Sequence, residues 1–158
     1  MKPKDIQWQN VSAFSKAEES PGYLLWTVNT AWRRNIEEGL ATLDITHTQF
    51  VLLASIGFLT KRGKNVYQIE LAQHAQLHVA MTSQVIRTLQ KKGYITRVHK
   101  AGDQRSKHAA LTTQGCALLE KAVPLVESID AAFFSPLSAQ EQTTYLALMA
   151  KLASHKAM

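Results

Sequence analysis

Residues 61–107 decide the fold of this chain and read KRGKNVYQIELAQHAQLHVAMTSQVIRTLQKKGYITRVHKAGDQRSK. The spacing of the apolar residues predicts a short helix over 68–75, a turn at 76–78 and a second helix over 80–92. Gly93 then suits the left-handed backbone that commonly ends a helix. This order predicts a helix-turn-helix.

A β-hairpin is predicted directly after the second helix. Residues 94–98 are rich in β-branched and aromatic side chains, and 108–111 provide the partner strand. A polar loop is predicted over 99–107. The expected fold is therefore mainly α with a small hairpin wing, as in a winged helix-turn-helix.

The same stretch carries a concentrated positive charge. Ten lysines and arginines oppose only Glu70 and Asp103, so residues 61–107 have a net charge of +8, against +6 for the whole chain. Acidic residues are absent from 71 to 102. Because attraction to phosphates supplies most non-specific affinity for DNA, this block predicts a DNA-binding surface.

Longer helices are predicted on both sides of this block. Amphipathic periodicity predicts helices over 21–42, from Thr46 to about 59, from Thr112 or Thr113 to about 134, and over 139–154, with capping boxes at Thr46–Gln49 and Ser138–Glu141. Pro124 should kink the third of them or mark a bend. Since a lone helix of about 20 residues cannot bury its apolar stripe, the terminal helices should pack on each other and on a second copy of the chain.

These elements divide the chain within a single intertwined domain. Residues 1–19 form an N-terminal arm, residues 20–45 and 112–158 supply dimerisation helices, and residues 46–111 form the DNA-binding lobe. The partners expected on this basis are double-stranded DNA and a second copy of the chain.

Composition narrows the class of protein. The chain is 46% hydrophobic and 19% charged, and no apolar run approaches the length of a membrane-spanning helix. Residues 1–10 lack a signal peptide, and the single cysteine, Cys116, fits a reducing compartment. A soluble, cytoplasmic protein without membrane contact is expected.

Catalysis and metal binding find no support in the sequence. It contains no nucleophile–histidine–acid pattern, no paired carboxylates and no phosphate-cradling glycine loop. His74 and His78 form the only histidine pair at helical spacing, and they are expected to face the DNA groove rather than a metal. We therefore predict no enzyme activity, no cofactor and no metal site.

Candidate DNA contacts fall on the second helix and on the wing. On the helix they are Thr82, Ser83, Gln84, Arg87, Thr88 and Lys91, with Lys92 beside them. Gln84 can read adenine, Arg87 can read guanine or bind phosphate, and the lysines are expected on the phosphate backbone. On the wing they are Lys100, Asp103, Arg105 and Lys107. Asp103 can brace Arg105 for insertion into a narrow minor groove, while the lysines contact phosphates.

Several stretches together resemble the MarR (multiple antibiotic resistance regulator) family. They are Pro21–Leu25, Ile45–Phe50, Leu89–Arg97, Gly102–Lys107 and Leu111–Gly115, in matching order over about residues 20–155. The resemblance implies a homodimeric winged-helix repressor or activator that binds a palindromic operator in or near a promoter. Members of the family are often released from DNA by small aromatic or phenolic compounds, and some by oxidants or metals. The resemblance also implies that the wing arginine is Arg105, braced by Asp103, and that the recognition contacts lie between Thr82 and Arg87. The family often has arginine where this chain has Gln84, so its base preference does not carry over.

Other readings remain open from the sequence. Trp26, Trp32 and Phe50 could line an effector pocket between the long helix and the DNA-binding lobe, or could be plain core. Cys116 could sense oxidants or simply be structural, since it lies in the first turn of a helix. The whole chain could instead be an architectural DNA-binding protein without an effector, or a winged-helix module for an acidic protein partner.

Overall fold

The computed structural model describes residues 6–63, 66–100 and 103–155. The first five residues of the predicted arm, residues 64–65 of the predicted turn and residues 101–102 of the predicted loop lie outside these ranges. So do residues 156–158 and the side chains of 99, 100 and 103–107. Short 3₁₀ turns at Trp8–Asn10 and Ala17–Glu19 precede the first long helix.

The elements follow the predicted order. The helices are α1 (Pro21–Ala41), α2 (His47–Lys61), α3 (Gln68–His74), α4 (Val79–Lys91), α5 (Thr113–Phe134) and α6 (Ala139–Ser154). The strands are β1 (Val66–Tyr67), β2 (Ile95–Lys100) and β3 (Asp103–Leu111). The mainly helical fold with a small antiparallel sheet is confirmed.

The helix starts follow from local hydrogen bonding. The Ser20 hydroxyl accepts the Tyr23 N–H at the start of α1. Both predicted capping boxes are present, with Thr46 capping α2 and Ser138 capping α6. Each cap satisfies backbone N–H groups that have no partner inside the helix.

Helix α5 is continuous through Pro124. A proline there removes one hydrogen bond to the carbonyl of Glu120, but both residues are exposed, so water can satisfy that carbonyl. The helix does not end at Pro124, and the kink or bend expected there stays a prediction.

The hairpin differs from the prediction in length. Strands pair in the order β1–β3–β2, all antiparallel, and the ladder continues to His99 opposite Lys107, with a bulge between His99 and Lys100. The predicted loop is wrong at residues 99–100 and 103–107, because ladder hydrogen bonds hold these polar residues extended despite their composition. Strand β1 was not predicted, since two residues are too short to show a period.

The core lies within the DNA-binding lobe and extends to the C-terminal half of α1 and to α5. Its largest fully buried side chains include Ile36, Leu40, Leu52, Leu53, Ile56, Leu71, Ile86 and Leu89. Within its described length, α6 contributes no buried residue. The terminal helices are therefore incompletely packed in one copy of the chain.

Residue Gly115 joins the base of the wing to α5. The Thr112 hydroxyl accepts the Gly115 N–H at 3.1 Å and donates to the Gly93 carbonyl at 2.6 Å. A Cβ at Gly115 would lie 2.0 Å from the Tyr94 carbonyl oxygen, closer than any side chain allows. This close approach explains the glycine of the Leu111–Gly115 stretch.

Candidate nucleic-acid interface and adjoining cavity

Helix α4 has one buried face and one free face. Thr82, Ile86 and Leu89 are buried against the rest of the lobe. Gln84, Arg87 and Lys91 are exposed on the opposite side, as their spacing of three and four residues requires. The free face carries a hydrogen-bonding amide and two cations without a carboxylate, so it is suited to a polyanion.

Thr82 does not belong to this face. It is 0% exposed, and its hydroxyl donates to the His78 carbonyl at 3.1 Å. The prediction that Thr82 contacts DNA is therefore wrong, because its position is in phase with the core residues Ile86 and Leu89. The spacing of the apolar residues was already consistent with burial of Thr82. Its hydroxyl and its place near the start of the helix had instead favoured a DNA contact.

The structure orients Arg87 on the free face. Its guanidinium donates to the Ser83 carbonyl and to the Ser83 hydroxyl, both at 3.3 Å. Ser83 and Thr88 are half-buried at the edges of the face, and Thr88 donates to the Gln84 carbonyl. Such local bonds reduce the freedom that Arg87 would lose on binding a ligand.

Lys92 lies next to Lys91 but has a different role. Its ammonium is 2.8 Å from the Asp44 carboxylate and also donates to the Asp44 carbonyl. Asp44 has φ of 55° in the turn between α1 and α2. The predicted phosphate contact by Lys92 is contradicted in this geometry, since the side chain is used to hold the end of α4 to that turn.

His74 lies at the contact between α3 and α2. Its Nδ1 lies 3.0 Å from the buried Ser55 hydroxyl, and its ring stacks at a tilt on Phe58, 5.6 Å between centroids. The Arg62 guanidinium covers the same Phe58 ring at 4.5 Å. His74 therefore connects α3 to α2 and is still exposed, as is His78, which precedes α4. The expectation that the two histidines face a DNA groove stays a prediction.

The four wing candidates lie on the hairpin strands. Lys100 ends β2, and Asp103, Arg105 and Lys107 lie on β3. Their side chains are outside the described part, so Asp103 as a brace for Arg105 stays a prediction. Their backbone positions put them at the end of the hairpin away from α5.

A cavity of about 250 Å³ lies between α1, α5 and α6. Its lining residues are Leu25, Val28, Asn29, Trp32, Asp130, Phe134, Tyr145 and Met149. Among the predicted effector-pocket residues only Trp32 lines it, whereas Phe50 does not and Trp26 is 69% exposed. It also lies among the terminal helices, away from the predicted junction with the DNA-binding lobe.

Trp32 connects this cavity to the DNA-binding lobe. Its indole N–H donates to the Asp130 carboxylate at 2.7 Å, and its ring meets that of His47 edge-on, 5.2 Å between centroids. His47 is the first residue of α2 and is half-buried. Burial and the nearby Arg33 lower the pKa of His47, against the opposing effects of Glu37 and Asp130. Residues 32 and 130 are far apart in sequence, so no local pattern could have predicted their contact.

Apolar side chains cover much of the outside of the terminal helices. Those at least two-fifths exposed include Leu24, Leu25 and Val28 on α1 and Leu146, Leu148 and Leu152 on α6. Several large apolar side chains exposed on the same helices are typical of a protein interface. This exposed apolar surface on α1 and α6 supports the expectation that a second copy of the chain packs there.

The described ranges were also expected to bear on a reactive cysteine, a metal site and a membrane span. Cys116 is exposed in the first turn of α5. The described part of the chain contains no group of three or more histidine, cysteine, aspartate or glutamate side chains that could hold a metal ion. None of the described helices is long and apolar enough to cross a membrane.

Comparison with known proteins identifies relatives of the whole chain. The model of the MarR family matches residues 45–107. The uncharacterized HTH-type transcriptional regulator YdcH of Bacillus subtilis is 38% identical over 151 residues, which cover 96% of this chain and 100% of YdcH.

Solved structures show the same relationship. The Mycobacterium tuberculosis MarR family protein Rv2887, crystallised with salicylic acid, is 30% identical, with a TM-score of 0.66 over 84% of this chain and 96% of that one. A mutant MarR of Escherichia coli in complex with operator DNA is 26% identical, with a TM-score of 0.76 over 94% of this chain and 99% of the other.

Proposed function

This chain belongs to the MarR family of transcriptional regulators, and on that premise we propose that it is a repressor that binds a palindromic operator as a homodimer and is released by a small effector. The observation that carries the proposal is the free face of α4. It presents Gln84, Arg87 and Lys91 to solvent, opposite the buried face of the same helix.

In this proposal α4 is the recognition helix. An α-helix fits the major groove of DNA, where glutamine reads adenine and arginine reads guanine through paired hydrogen bonds. Gln84 and Arg87 take these roles, while Ser83, Thr88 and Lys91 contact phosphates or sugars. The complex of E. coli MarR with operator DNA supports this assignment by the shared fold.

The wing supplies the second set of contacts. Arg105, with Asp103 beside it in sequence, would enter the minor groove, and Lys100 and Lys107 would bind the flanking phosphates. Support comes from the hairpin β2–β3 and from the positive charge of its residues.

Dimerisation would use the helices outside the DNA-binding lobe. Residues 20–45 and 112–158 contain α1, α5 and α6, whose exposed leucines need a partner surface. A two-fold axis would set two copies of α4 about one helical turn of DNA apart, and the operator would then be palindromic. An effector would favour a spacing of the two helices that misses successive major grooves.

The deciding experiment is selection of bound duplexes from a random pool, followed by affinity measurement on the selected sequence. A repressor of this kind should prefer that sequence over random DNA by about 10³ or more. A small ratio with high affinity would indicate an architectural DNA-binding protein. No salt-dependent DNA affinity at all would favour a module for an acidic protein partner.

Two variants test the residue roles in the same assay. Gln84→Ala should change the selected sequence, whereas a uniform loss on all sequences would make Gln84 a phosphate contact. Arg105→Ala should lower operator affinity, and an unchanged affinity would remove the wing from the mechanism. Arg34→Ala, an exposed arginine on α1 paired with Glu38, is the control for loss of one positive charge.

A further inference from the structure

The first turn of α4 carries two exposed apolar residues, Ala80 and Met81, that have no part in the contacts proposed for Gln84 and Arg87. Ala80 precedes Gln84 by four residues and Arg87 by seven. Met81 precedes Gln84 by three residues, and 47% of its surface is exposed. Residues at these spacings share one face of a helix. The free face of α4 is therefore cationic and polar along most of its length and apolar in its first turn.

Val79 is also exposed, but it lies on the other side of the helix. It precedes the buried Ile86 by seven residues, so it is in phase with the buried face. Its exposed fraction of 50% follows from its place as the first residue of α4, where the helix begins and covers it least. Two apolar side chains of similar exposure, Val79 and Met81, thus differ in the face to which they belong.

The position of Ala80 and Met81 on α4 indicates what would cover them. A single exposed apolar side chain is ordinary on a protein surface, but these two share a face with Arg87 and Lys91. That charge favours nucleic acid over an apolar protein surface as the occupant. In a helix-turn-helix it is the first residues of the recognition helix that contact base edges. The apolar group that base pairs present in the major groove is the C5-methyl group of thymine.

We propose that Ala80 and Met81 contact thymine C5-methyl groups, so that each operator half-site contains a thymine close to the adenine read by Gln84. This inference rests on the proposed function, since it places the first turn of α4 in the same major groove. Ala80 and Gln84 are separated by about 6 Å along the helix axis, and neighbouring base pairs are about 3.4 Å apart. The thymine should therefore lie within about two base pairs of that adenine. 5-Methylcytosine carries the same methyl group and should be bound in preference to cytosine at this position.

Removal of single methyl groups from the DNA tests the contact. The full chain is titrated with the operator selected from a random pool and with duplexes in which deoxyuridine replaces thymine. The replacements are made in both half-sites, at each thymine within two base pairs of the adenine that Gln84→Ala no longer selects. Deoxyuridine keeps the base pair and lacks only the methyl group. One buried methyl group is worth about fourfold in affinity, so replacement in both half-sites should weaken binding about fifteenfold. Equal affinity at every such position, or a selected operator without thymine there, would overturn the proposal.

A protein variant separates direct contact from a change in DNA stiffness, which also follows from the loss of a methyl group. In Met81→Ala the weakening caused by deoxyuridine should be at least about twofold smaller than in the wild type, because the methyl group has lost a partner. Met81 is exposed and alanine is the stronger helix former, so this variant should fold. Val79→Ala is the matched control and should show the same weakening as the wild type. An unchanged effect in Met81→Ala, or an equal reduction in Val79→Ala, would contradict the assignment to Met81.

A second pair of duplexes adds the methyl group to a different base pair. Cytosine or 5-methylcytosine, each opposite guanine, takes the place of the thymine that responds to deoxyuridine. Both duplexes lose the original base pair, but the methylated one should bind about fourfold more tightly for each half-site. Equal affinity for the two would show that α4 does not recognise the methyl group itself and would overturn the proposal.

Failure of this inference differs from failure of the proposed function. A specific operator whose affinity does not depend on the methyl groups would overturn the thymine contact alone and leave the proposed repressor supported. A protein that prefers no sequence over random DNA would contradict both, because recognition of a thymine methyl group is itself a sequence preference.

Discussion

The Lys92 ammonium lies 2.8 Å from the Asp44 carboxylate and so ties the end of α4 to the turn between α1 and α2. Asp44 adopts a left-handed conformation there, which aspartate and asparagine tolerate better than most residues. Neighbouring lysines on one helix therefore have separate roles. Lys91 is exposed and pairs with no carboxylate of the described residues, whereas Lys92 belongs to the scaffold.

This division predicts different salt dependences for two matched variants. Lys91→Gln should lower DNA affinity and reduce the slope of log affinity against log salt by about 0.9 for each lost phosphate contact, or about 1.8 for the two copies in a dimer. Lys92→Gln should leave the slope nearly unchanged. Affinities measured over a series of salt concentrations give both slopes. Equal changes of slope in the two variants would show that Lys92 also contacts a DNA phosphate.

A second prediction concerns the join between the wing and α5. Gly115→Ala should destabilise the protein by about 3 kcal/mol, the upper end of the usual cost of overpacking, because the new Cβ meets the rigid Tyr94 carbonyl. Urea unfolding at a fixed protein concentration measures this change. Gly22→Ala is the control, since its Cβ would come no closer than 4.0 Å to the nearest atom found. Similar costs for the two variants would contradict the packing argument.

A third prediction follows from the lowered pKa of His47. Burial is the main cause and Arg33 adds to it, so the folded state binds a proton less readily than the unfolded state. The contribution of neutral His47 is therefore complete above the ordinary pKa of 6.5 and is lost as the pH falls through 6.5 towards the lower folded pKa.

His47→Gln checks this directly. The wild type should lose more stability than the variant when the pH falls from about 8 to below 6.5. At the higher pH the wild type and the variant differ in free energy of unfolding because the variant lacks the contact with Trp32. Protonation of His47 is therefore measured by how much this difference changes with pH. A difference that is independent of pH would contradict the shift.

A fourth prediction separates two threonines of α4. Both donate a hydrogen bond to the carbonyl four residues earlier, but Thr82 is buried and Thr88 lies at the edge of the free face. Thr82→Val should change operator affinity less than about twofold, because a buried hydroxyl cannot reach DNA. Thr88→Val should lower the affinity further than this. Anisotropy titrations of both variants decide the matter, and the reverse order would show that Thr82 becomes exposed on binding.

Local patterns in the sequence determined most of the elements. Capping boxes at Thr46 and Ser138 depend on side chains three residues apart, and Gly93 ends α4 with φ of 79° as predicted. Such signals act within one or two helical turns, so they can be read without knowledge of the fold. The concentration of positive charge in residues 61–107 is likewise a property of the sequence alone.

Contacts between distant residues were decided only in the tertiary structure. The length of the hairpin depends on the pairing of β2 with β3, and the burial of Thr82 depends on the surface against which α4 packs. Lys92 with Asp44, and Trp32 with Asp130, join elements whose separation leaves no periodic signal. Short-range hydrogen bonding and periodicity fix where a helix begins and which residues share a face. Long-range packing decides which face is buried and which polar group finds a partner. Such packing joins residues far apart in the sequence, so it leaves no local pattern.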